Sequence, residues 1–346
     1  MQKNILNYTI GKNTTIRDAI KHMDKYMNKI CVCLDNNKKV SGIFSEGDFR
    51  KAVYKGINLN SKVSEILNKK FYFANSRKEH NKIKSIFEKS IVTCIPILKR
   101  GELVDIVFRE EIILKNNNKF KKIPVIIMAG GKGTRLEPFT KILPKPLFPL
   151  GDEPIITKIM KQFKYWGFDK FIISIYEKSK IIKAYLKDYK GLNVKFLEEK
   201  KPMGTIGSLK LLKKFKGTFI VSNCDILIKS NFNDILKFHK EKKNDFTIIG
   251  SLRHYEIPYG VCELNTSGKL KQIIEKPSND YLVNTGVYIA ESKIIKLIGE
   301  KNYIDTDQLI TKLLKKKFKV GVFPISSDSW EDYGQWSEIS KNSKNI

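Results

Sequence analysis

Short apolar runs, separated by turn residues and amphipathic stretches, follow one another along the whole chain. After residue 124 they predict strands at 125–128, 170–176, 194–197 and 218–222, and helices over 155–166 and 181–189. Strands that alternate with helices are typical of a mainly parallel sheet, whose ligands bind at the carboxyl ends of the strands. We therefore expect an α/β fold with such a sheet in this part of the chain.

A different pattern occurs twice before residue 118. A helix, two strands joined by a polar turn and a second helix are predicted over 15–54, and the same order is predicted again from residue 75 onward. Two units of about 60 residues with one pattern form an internal repeat. We place the repeats at 1–60 and 61–118, a polar linker at 119–123 and a second domain at 124–346.

Length and composition bound the class of protein. A chain of 346 residues is long enough for two domains. It has no apolar run of about 18 residues, which a membrane-spanning helix would need, and its first residues lack the apolar core of a secretory signal. The five cysteines are few and scattered. We therefore expect a cytoplasmic protein with reduced thiols and no membrane partner.

The formal net charge of +29 raises the question of nucleic-acid binding. The lysines, however, are spread along the entire chain and no nucleic-acid-binding motif accompanies them. A general bias toward Lys, Asn and Ile explains the charge more simply, so we expect no nucleic-acid partner. The charge still favours polyanionic ligands such as nucleoside triphosphates.

A glycine-rich turn follows the predicted strand 125–128. Small residues there let backbone N–H groups approach a phosphate chain, and two cations follow, Arg135 and Lys145, the second between two prolines. A tight turn without ligand is the alternative for the glycines alone, but it does not explain the cations in register. The positions expected to bind nucleotide here are Ala129, Gly130, Gly131, Gly133 and Thr134.

Eight short motifs occur in order between residues 125 and 336. They are A-G-G-K-G-T-R-L, P-K-P-L, G-T-I-G-S-L, N-C-D, P-Y-G-V, E-K-P, N-T-G-V-Y and W-E-D-Y-G. Taken together they resemble the sugar-1-phosphate nucleotidyltransferases. The resemblance implies a Rossmann-like α/β domain with a mixed, mainly parallel sheet. It also implies an enzyme that joins a nucleoside triphosphate to a sugar 1-phosphate and releases pyrophosphate.

The same resemblance implies a role for individual residues. Arg135 and Lys145 are the expected catalytic cations, and Gly204 and Thr205 are expected to contact base and ribose. The positions expected around the sugar phosphate are Tyr259, Gly260, Glu275, Lys276, Asn284 and Thr285.

Two carboxylates are expected to hold Mg²⁺ as the cofactor. Asp225 follows an apolar strand, and Asp332 lies in W-E-D-Y-G. Mg²⁺ needs only one or two carboxylates when waters and phosphate oxygens complete its shell. A turn residue is the alternative for Asp225, and Asp328 or Glu331 could replace Asp332. We expect Asp307 to cap the helix that follows it and not to bind metal.

The N-terminal repeat resembles a tandem pair of CBS domains. The resemblance implies an adenine nucleotide held by Ser45 and Asp48 in the first repeat, where a helix cap is the equally weighted alternative. The aligned positions in the second repeat are Phe108 and Glu111, and Phe108 cannot supply a hydroxyl. CBS pairs associate face to face, so the resemblance also implies a homodimer or higher homo-oligomer.

A CBS pair fused before this catalytic domain is similar to guanylyltransferases of bacterial surface-sugar pathways, including those that make GDP-glucosamine. On that analogy alone we expect GTP and glucosamine 1-phosphate as substrates. Thymidylyl or uridylyl transfer is the nearest alternative, because residues 204–209 do not discriminate between the bases. A nucleotide sensor without turnover is the rival class, but it would not need Lys145, Asp225 and Asp332 together.

Overall fold

The structure of the chain is a computed structural model. It describes residues 5–26, 30–90, 92–109, 120, 122–187, 189, 193–299 and 303–336. The chain divides into two compact units, Met1–Asn116 and Asn117–Ile346. Each unit has its own buried core.

The first unit contains the predicted repeat of helix, strand, turn and strand. Its first half comprises β1 (Thr9–Gly11), α1 (Ile16–Lys25), β2 (Ile30–Leu34), β3 (Val40–Ser45) and α2 (Glu46–Tyr54). Its second half comprises α3 (His80–Lys89), β4 (Cys94–Lys99) and β5 (Glu102–Phe108). β2 and β3 form one antiparallel hairpin, and β4 and β5 form another. The helix predicted from residue 109, with Glu111, lies outside the described residues apart from its first position.

The strand register supports the alignment of the two repeats. Ser45, the last residue of β3, pairs with Ile30 at the start of β2. Phe108, the last residue of β5, pairs with Cys94 at the start of β4. Phe108 therefore occupies in the second repeat the position that Ser45 occupies in the first. Its ring packs 5.6 Å from that of Tyr8, which fits an apolar role.

The second unit is built from thirteen strands and four longer helices among the described residues. The strands are β6 (Val125–Met128), β7 (Pro149–Leu150), β8 (Glu153–Pro154), β9 (Lys170–Ile175), β10 (Asn193–Glu198), β11 (Thr218–Asn223), β12 (Ile226–Ile228), β13 (Phe246–Glu256), β14 (Val261–Leu264), β15 (Leu270–Ile274), β16 (Ser278–Glu291), β17 (Val320–Ile325) and β18 (Trp330–Asp332). The helices are α4 (Ile155–Tyr165), α5 (Ser179–Lys187), α6 (Phe232–Glu241) and α7 (Thr306–Lys315).

Seven of these strands form one sheet in the order β10-β9-β6-β11-β16-β13-β17. β10, β9, β6 and β11 run parallel to one another, β16 runs against both of its neighbours, and β17 is parallel to β13. Apolar side chains cover both faces, with Ile127 and Ile159 in one core cluster and Ile126 and Leu309 in the other. The predicted mixed, mainly parallel sheet is confirmed.

Most helix ends follow the predicted capping chemistry, but one does not. Thr15 caps α1 through its side chain, and Gly167 stands just beyond α4 with the positive φ of 94° that a terminating glycine adopts. The N-cap of α7 is Asp305, whose carboxylate and Gln308 form a capping box. The expectation that Asp307 caps this helix is therefore wrong, because the helix already begins at Thr306. The segment after Gly204 forms a short 3-10 helix, Gly207–Leu212.

Three strand pairs lie outside the main sheet. β12 pairs with β18, β7 with β8, and β14 with β15. The first pair joins the segment after β11 to the W-E-D-Y-G motif and so determines the position of Asp332. Among the described residues, no helix has both the length and the apolar character needed to cross a membrane.

Candidate active site

The site begins where two parallel strands end side by side. β6 ends at Met128 and β11 ends at Asn223, and these two residues are partners in the sheet. The glycine-rich turn after Met128 and Asp225 after Asn223 therefore lie at the same edge. The carboxyl edge of a parallel sheet is where this class of fold binds ligands.

The glycine-rich turn is shaped by close contacts at two of its positions. The Ala129 N–H donates to the Ser174 carbonyl at 2.9 Å, which ties the start of the turn to β9. Gly133 has a φ of 72°, and a methyl group there would lie 3.0 Å from Lys145 Cβ. Gly131 faces open space instead. Thr134 and Arg135 follow on an exposed 3-10 helix, Thr134–Leu136, so the turn is open toward a ligand.

Lys145 is directed toward the carboxylate of Asp225. It lies in the 3-10 helix Lys145–Leu147, with Pro144 in the preceding cap position. Its Nζ donates to Asp225 Oδ2, and the two side chains are only 11% and 7% exposed. A largely buried lysine paired with a largely buried aspartate brings together two residues that lie 80 positions apart in the chain.

Asp332 completes the cluster through the small sheet of β12 and β18. Ile226 pairs with Asp332, which places this carboxyl group beside Asp225. The Gly334 N–H donates to Asp332 Oδ1 at 2.6 Å. Burial raises the pKa of the Asp332 carboxyl, and the charge of Asp225 adds to the rise. The hydrogen bond from Gly334 and the charges of Lys145 and Arg135 partly oppose it.

The space between the two carboxylates is maintained by a glycine. A methyl group at Gly334 would lie 2.7 Å from Asp225 Oδ2 and 2.9 Å from Asp332 Oδ1. Both oxygens therefore converge on one point that any other side chain would fill. Two carboxylate oxygens suit a hard divalent cation such as Mg²⁺, which prefers oxygen ligands and retains several waters. Among the described residues no group of three or more His, Cys, Asp or Glu side chains forms a fuller metal site.

The two residues predicted to contact base and ribose are bound to the start of α7. Gly204 has a φ of 83°, and a methyl group there would lie 2.4 Å from the Ile304 carbonyl oxygen. The Thr205 N–H donates to Asp305 Oδ1 at 2.9 Å, and the Thr205 and Thr306 hydroxyl oxygens are 3.0 Å apart. The backbone of this segment is thus fixed against a helix nearly one hundred residues later in the chain.

Four of the residues predicted around the sugar phosphate meet at the base of the β14–β15 hairpin. Val261 pairs with Ile274, so the segments that precede β14 and follow β15 lie side by side. A methyl group at Gly260 would lie 3.0 Å from Glu275 Oε2. Tyr259 and Lys276 flank this contact in sequence, and Tyr259 is 73% exposed. The structure thereby brings together P-Y-G-V and E-K-P, which are well separated in sequence.

Asn284 and Thr285 differ in what their side chains do. Asn284 is exposed, and its Nδ2 donates to the Tyr288 hydroxyl at 2.7 Å. Thr285 is 2% exposed, and its hydroxyl donates to the Ile249 carbonyl at 2.8 Å. The Thr285 hydroxyl is thus engaged within the sheet, so only the backbone of this residue is left to contribute to a sugar pocket. The other end of the Asn284 amide is also engaged, because its Oδ1 accepts from the Gly286 N–H at 3.0 Å.

Three residues of the site were not predicted from the sequence. Gly334 lies in W-E-D-Y-G, and its proximity to Asp332 could have indicated it. Tyr288 lies in N-T-G-V-Y, and its hydroxyl bonds Asn284 and Thr306, which links the predicted sugar and nucleotide segments. No local pattern distinguished Glu199.

Glu199 lies directly beside the glycine-rich turn. Its carboxylate accepts from Ser174 Oγ at 2.7 Å and from the Met203 N–H at 3.1 Å. A methyl group at Gly130 would lie 2.8 Å from Glu199 Oε1. Burial raises the pKa of Glu199. Position 130 must therefore be glycine, because the Glu199 carboxylate, held by Ser174 and Met203, leaves no room for a side chain there.

The residues predicted to hold an adenine nucleotide in the first unit bond each other. The Asp48 carboxylate accepts from the Ser45 hydroxyl at 2.7 Å and from the Ser45 N–H at 3.1 Å, and the Asp48 N–H donates back to Ser45 Oγ at 3.3 Å. This is a capping box at the start of α2. Ser45 and Asp48 therefore form the helix cap, and a nucleotide would have to share the Ser45 hydroxyl and the Asp48 carboxylate with that cap.

Comparison with known protein families finds a different family in each of the two units. The nucleotidyl transferase family matches residues 124–346, and the CBS domain family matches residues 1–55. The chain is 31% identical over 222 residues to mannose-1-phosphate guanyltransferase 2 of Candida glabrata, which covers 61% of each protein. It is 29% identical over 230 residues to the bifunctional protein GlmU of Methanococcus maripaludis, covering 63% of this chain and 53% of that protein. The chain thus spans less than two thirds of the length of these curated relatives.

A solved structure shares the fold of the second unit. HddC from Yersinia pseudotuberculosis superposes with a TM-score of 0.51 at 25% sequence identity, over 64% of this chain and 99% of that chain. A second crystal structure of HddC holds GMP-PN.

Proposed function

We propose that this chain, which belongs to the nucleotidyl transferase family, transfers a nucleoside monophosphate from a nucleoside triphosphate to a sugar 1-phosphate. The products are a nucleoside diphosphate sugar and pyrophosphate. The resemblances to sugar nucleotidyltransferases and to CBS domains are both supported by the family matches at 124–346 and 1–55.

One observation carries the proposal: Lys145, Asp225 and Asp332 converge at the sheet edge where the glycine-rich turn begins. Phosphoryl transfer needs positioning and neutralisation of charge more than covalent help from the protein. The cluster supplies a cation and two carboxylates, and the cation and one carboxylate are largely buried. A protein that only sensed a nucleotide would gain nothing from burying all three groups together.

The residues of this chain divide the work of the reaction between them. Backbone N–H groups of the glycine-rich turn bind the triphosphate, and Arg135 neutralises the pyrophosphate that leaves. Lys145 lies between the two reacting phosphates and offsets their repulsion. Asp225 and Asp332 would hold Mg²⁺, which supplies Lewis-acid activation of the α-phosphate when bound. The sugar phosphate is already an anionic nucleophile, so no general base is required.

The sugar phosphate approaches from the β14–β15 hairpin. Lys276 pairs with its phosphate. The Glu275 carboxylate accepts hydrogen bonds from sugar hydroxyl groups, and the Asn284 amide donates to them. Gly260 leaves room for the Glu275 carboxylate beside it. Tyr259 forms the exposed outer wall.

We propose GTP as the nucleotide and a hexose 1-phosphate as the acceptor. The names of relatives such as the Candida glabrata mannose-1-phosphate guanyltransferase support GTP, as does the GMP-PN complex of HddC. Glucosamine 1-phosphate is the acceptor expected from the analogy with enzymes that carry a CBS pair before this domain, and mannose 1-phosphate is the acceptor in the name of the relative. The two sugars differ at C2, next to the carbon that carries the phosphate, so one assay separates them.

The test is pyrophosphate release measured for each of GTP, dTTP, UTP, CTP and ATP with glucosamine 1-phosphate, mannose 1-phosphate and glucose 1-phosphate. We expect release with GTP to exceed that with the other nucleotides. A Lys145→Met variant serves as the matched control for contaminating activity. Release from no pair would refute the enzyme, and release with dTTP or UTP in place of GTP would refute only the choice of base.

We also propose that the first unit binds an adenine nucleotide near Ser45 and Asp48. The CBS domain match to residues 1–55 supports this proposal. The capping box shows that both side chains already have a structural role, so a binding test must separate the loss of a cap from the loss of a ligand.

A further inference from the structure

The β14–β15 hairpin and the strand ends that carry it expose an unusual amount of apolar surface. Segment 255–282, named here the hairpin surface, contains nine of the 23 large hydrophobic side chains that are exposed among the described residues. Those that project furthest from the main sheet include Leu264, Leu270 and Ile273, which are 62%, 54% and 58% exposed. A concentration of this kind marks an interaction surface more often than scattered single residues do.

The backbone of the hairpin surface is also unpaired at its edges. β14 and β15 pair only with each other among the described strands. β13 extends beyond its partner β17, which ends opposite Ser251, so residues 252–256 pair only with β16. Free strand edges that carry apolar side chains are covered in most native proteins.

The charge of the hairpin surface sets it apart from the rest of the chain. Segment 255–282 carries four carboxylates and three lysines, whereas the chain as a whole has a net charge of +29. Mutual repulsion opposes the approach of two such chains through most of their surface. At the hairpin surface this repulsion is missing while apolar area is available, so two copies can approach each other there.

We propose that the hairpin surface is the contact between two copies of this chain. Tyr259 belongs to the wall of the proposed sugar pocket, but the other eight side chains are 37–62% exposed. Because an aromatic side chain alone has about 150–250 Å², these eight still offer several hundred Å². That is the order of the ~800 Å² that each partner contributes to a stable interface. The contact lies on the outer side of the hairpin whose base carries Glu275 and Lys276. The second copy thus backs one wall of the proposed sugar pocket.

A cysteine within the hairpin provides a probe of this contact. Of the five cysteines, Cys262 is exposed and the other four are buried. Burial raises the pKa of Cys31 and of Cys224 to about 12, so these thiols are unreactive. Cys262 lies in β14 directly opposite Ile273, and directly paired residues of antiparallel strands share a face. Alkylation of the native chain therefore reports on the hairpin surface.

The experiment measures the rate of iodoacetamide labelling of Cys262 in the full chain, by mass spectrometry, over a range of protein concentrations. Labelling is expected to slow about tenfold once nine chains in ten are associated, since only the open fraction reacts. The double variant Leu270→Lys/Ile273→Lys is expected to be labelled at the fast rate at every protein concentration and to sediment as a smaller species than the wild type. Both side chains are more than half exposed, so the fold tolerates the change.

Leu314→Lys is the matched control, because Leu314 on α7 is 58% exposed, as Ile273 is. It is expected to leave both the labelling rate and the sedimentation unchanged. Fast labelling at every concentration would overturn the proposal, because the hairpin would then be bare. Slow labelling at every concentration by a chain that sediments as a monomer would overturn it equally, because a segment of the same chain would then cover the hairpin.

Discussion

Lys145 Nζ donates a hydrogen bond to Asp225 Oδ2, although 80 residues separate the two in sequence. Both side chains are almost completely withdrawn from solvent. The pair joins the segment after the glycine-rich turn to the segment after β11. Because each residue neutralises the other, neither can be changed alone without leaving a buried charge.

Replacing Lys145 with Met is expected to lower both activity and stability. Loss of one partner of a buried ion pair costs about 3–5 kcal/mol of unfolding free energy, measurable by urea denaturation. Loss of the cation between the phosphates is expected to reduce kcat/KM about 100-fold or more, equivalent to roughly 2.7 kcal/mol of barrier.

The double variant Lys145→Met/Asp225→Asn separates the two effects. It removes both charges, so the unfolding free energy should recover most of what the single variant loses. Activity should stay low because both the cation and one of the two proposed Mg²⁺ ligands are absent. Recovery of activity together with stability would show that Lys145 acts only through folding and has no part in the chemistry.

Replacing Asp332 with Asn is expected to stabilise the protein in the absence of divalent cation. Burial and the neighbouring Asp225 raise the pKa of the Asp332 carboxyl. A raised pKa in the folded state means that the stability present below the unfolded pKa is lost as pH rises through the folded pKa. At neutral pH the ionised Asp332 therefore weakens the fold, and Asn should raise Tm by roughly 2 °C or more in EDTA.

The same pair of proteins tests the Mg²⁺ assignment without an activity assay. Mg²⁺ should raise the Tm of the wild type, because it binds the folded state alone, and should not raise that of Asp332→Asn. Asp328→Asn, an exposed carboxylate four residues earlier, is the control and should respond as the wild type does. An equal Mg²⁺ response in Asp332→Asn would exclude Asp332 as a ligand.

Replacing Gly334 with Ala is expected to fill the space between the two carboxylates. The added methyl group would lie within 3 Å of both Asp225 Oδ2 and Asp332 Oδ1, as measured above at 2.7 and 2.9 Å. Activity should fall about 10- to 100-fold, or roughly 1.4–2.7 kcal/mol, and the Mg²⁺-dependent rise in Tm should shrink.

Gly11→Ala is the control for a general effect of replacing glycine, because a methyl group at Gly11 meets nothing within 4 Å. It should leave activity and the Mg²⁺ response unchanged. If Gly334→Ala retained the Mg²⁺ response and full activity, the cation would have to bind away from the point where the two oxygens converge.

Replacing Asp48 with Ala tests the nucleotide site of the first unit against its helix cap. Loss of the cap should cost about 1 kcal/mol of unfolding free energy. Asp18→Ala removes the same kind of cap, since the Thr15 hydroxyl donates to Asp18 Oδ2 at 2.8 Å at the start of α1. If an adenine nucleotide binds at Asp48, its effect on Tm should persist in Asp18→Ala and vanish in Asp48→Ala. Equal effects in both variants would assign Asp48 to capping alone.

Local signals in the sequence were sufficient for the elements of the main sheet. The apolar run 125–128 is a strand, and α4 begins after Pro154 and is followed by Gly167, because each signal acts within a few residues. Capping was harder to place. Asp307 was expected to cap the helix, but the helix begins at Thr306, so Asp307 lies in its first turn and Asp305 is the N-cap.

The candidate site was predictable motif by motif, but its contacts were not. Glu199 and Gly130 lie on different elements, and no spacing in the sequence predicts that a methyl group at Gly130 would clash with the Glu199 carboxylate. The hydroxyl of Thr285 donates to the Ile249 carbonyl, where the pairing of β16 with β13 shifts its register between Ile248 and Gly250. Such facts depend on which strands are neighbours.

The sequence by itself determined the order of the elements, the repeated pattern of the first unit and the identity of the glycines, cations and carboxylates that serve phosphate chemistry. These properties are local, since they follow from hydrophobic period, turn residues and charge. Only the tertiary structure decided that Lys145, Asp225, Asp332 and Gly334 share one point. The pairing of β6 with β11 and of β12 with β18 brings them there, and strand pairing depends on burial across the whole sheet and not on any one segment.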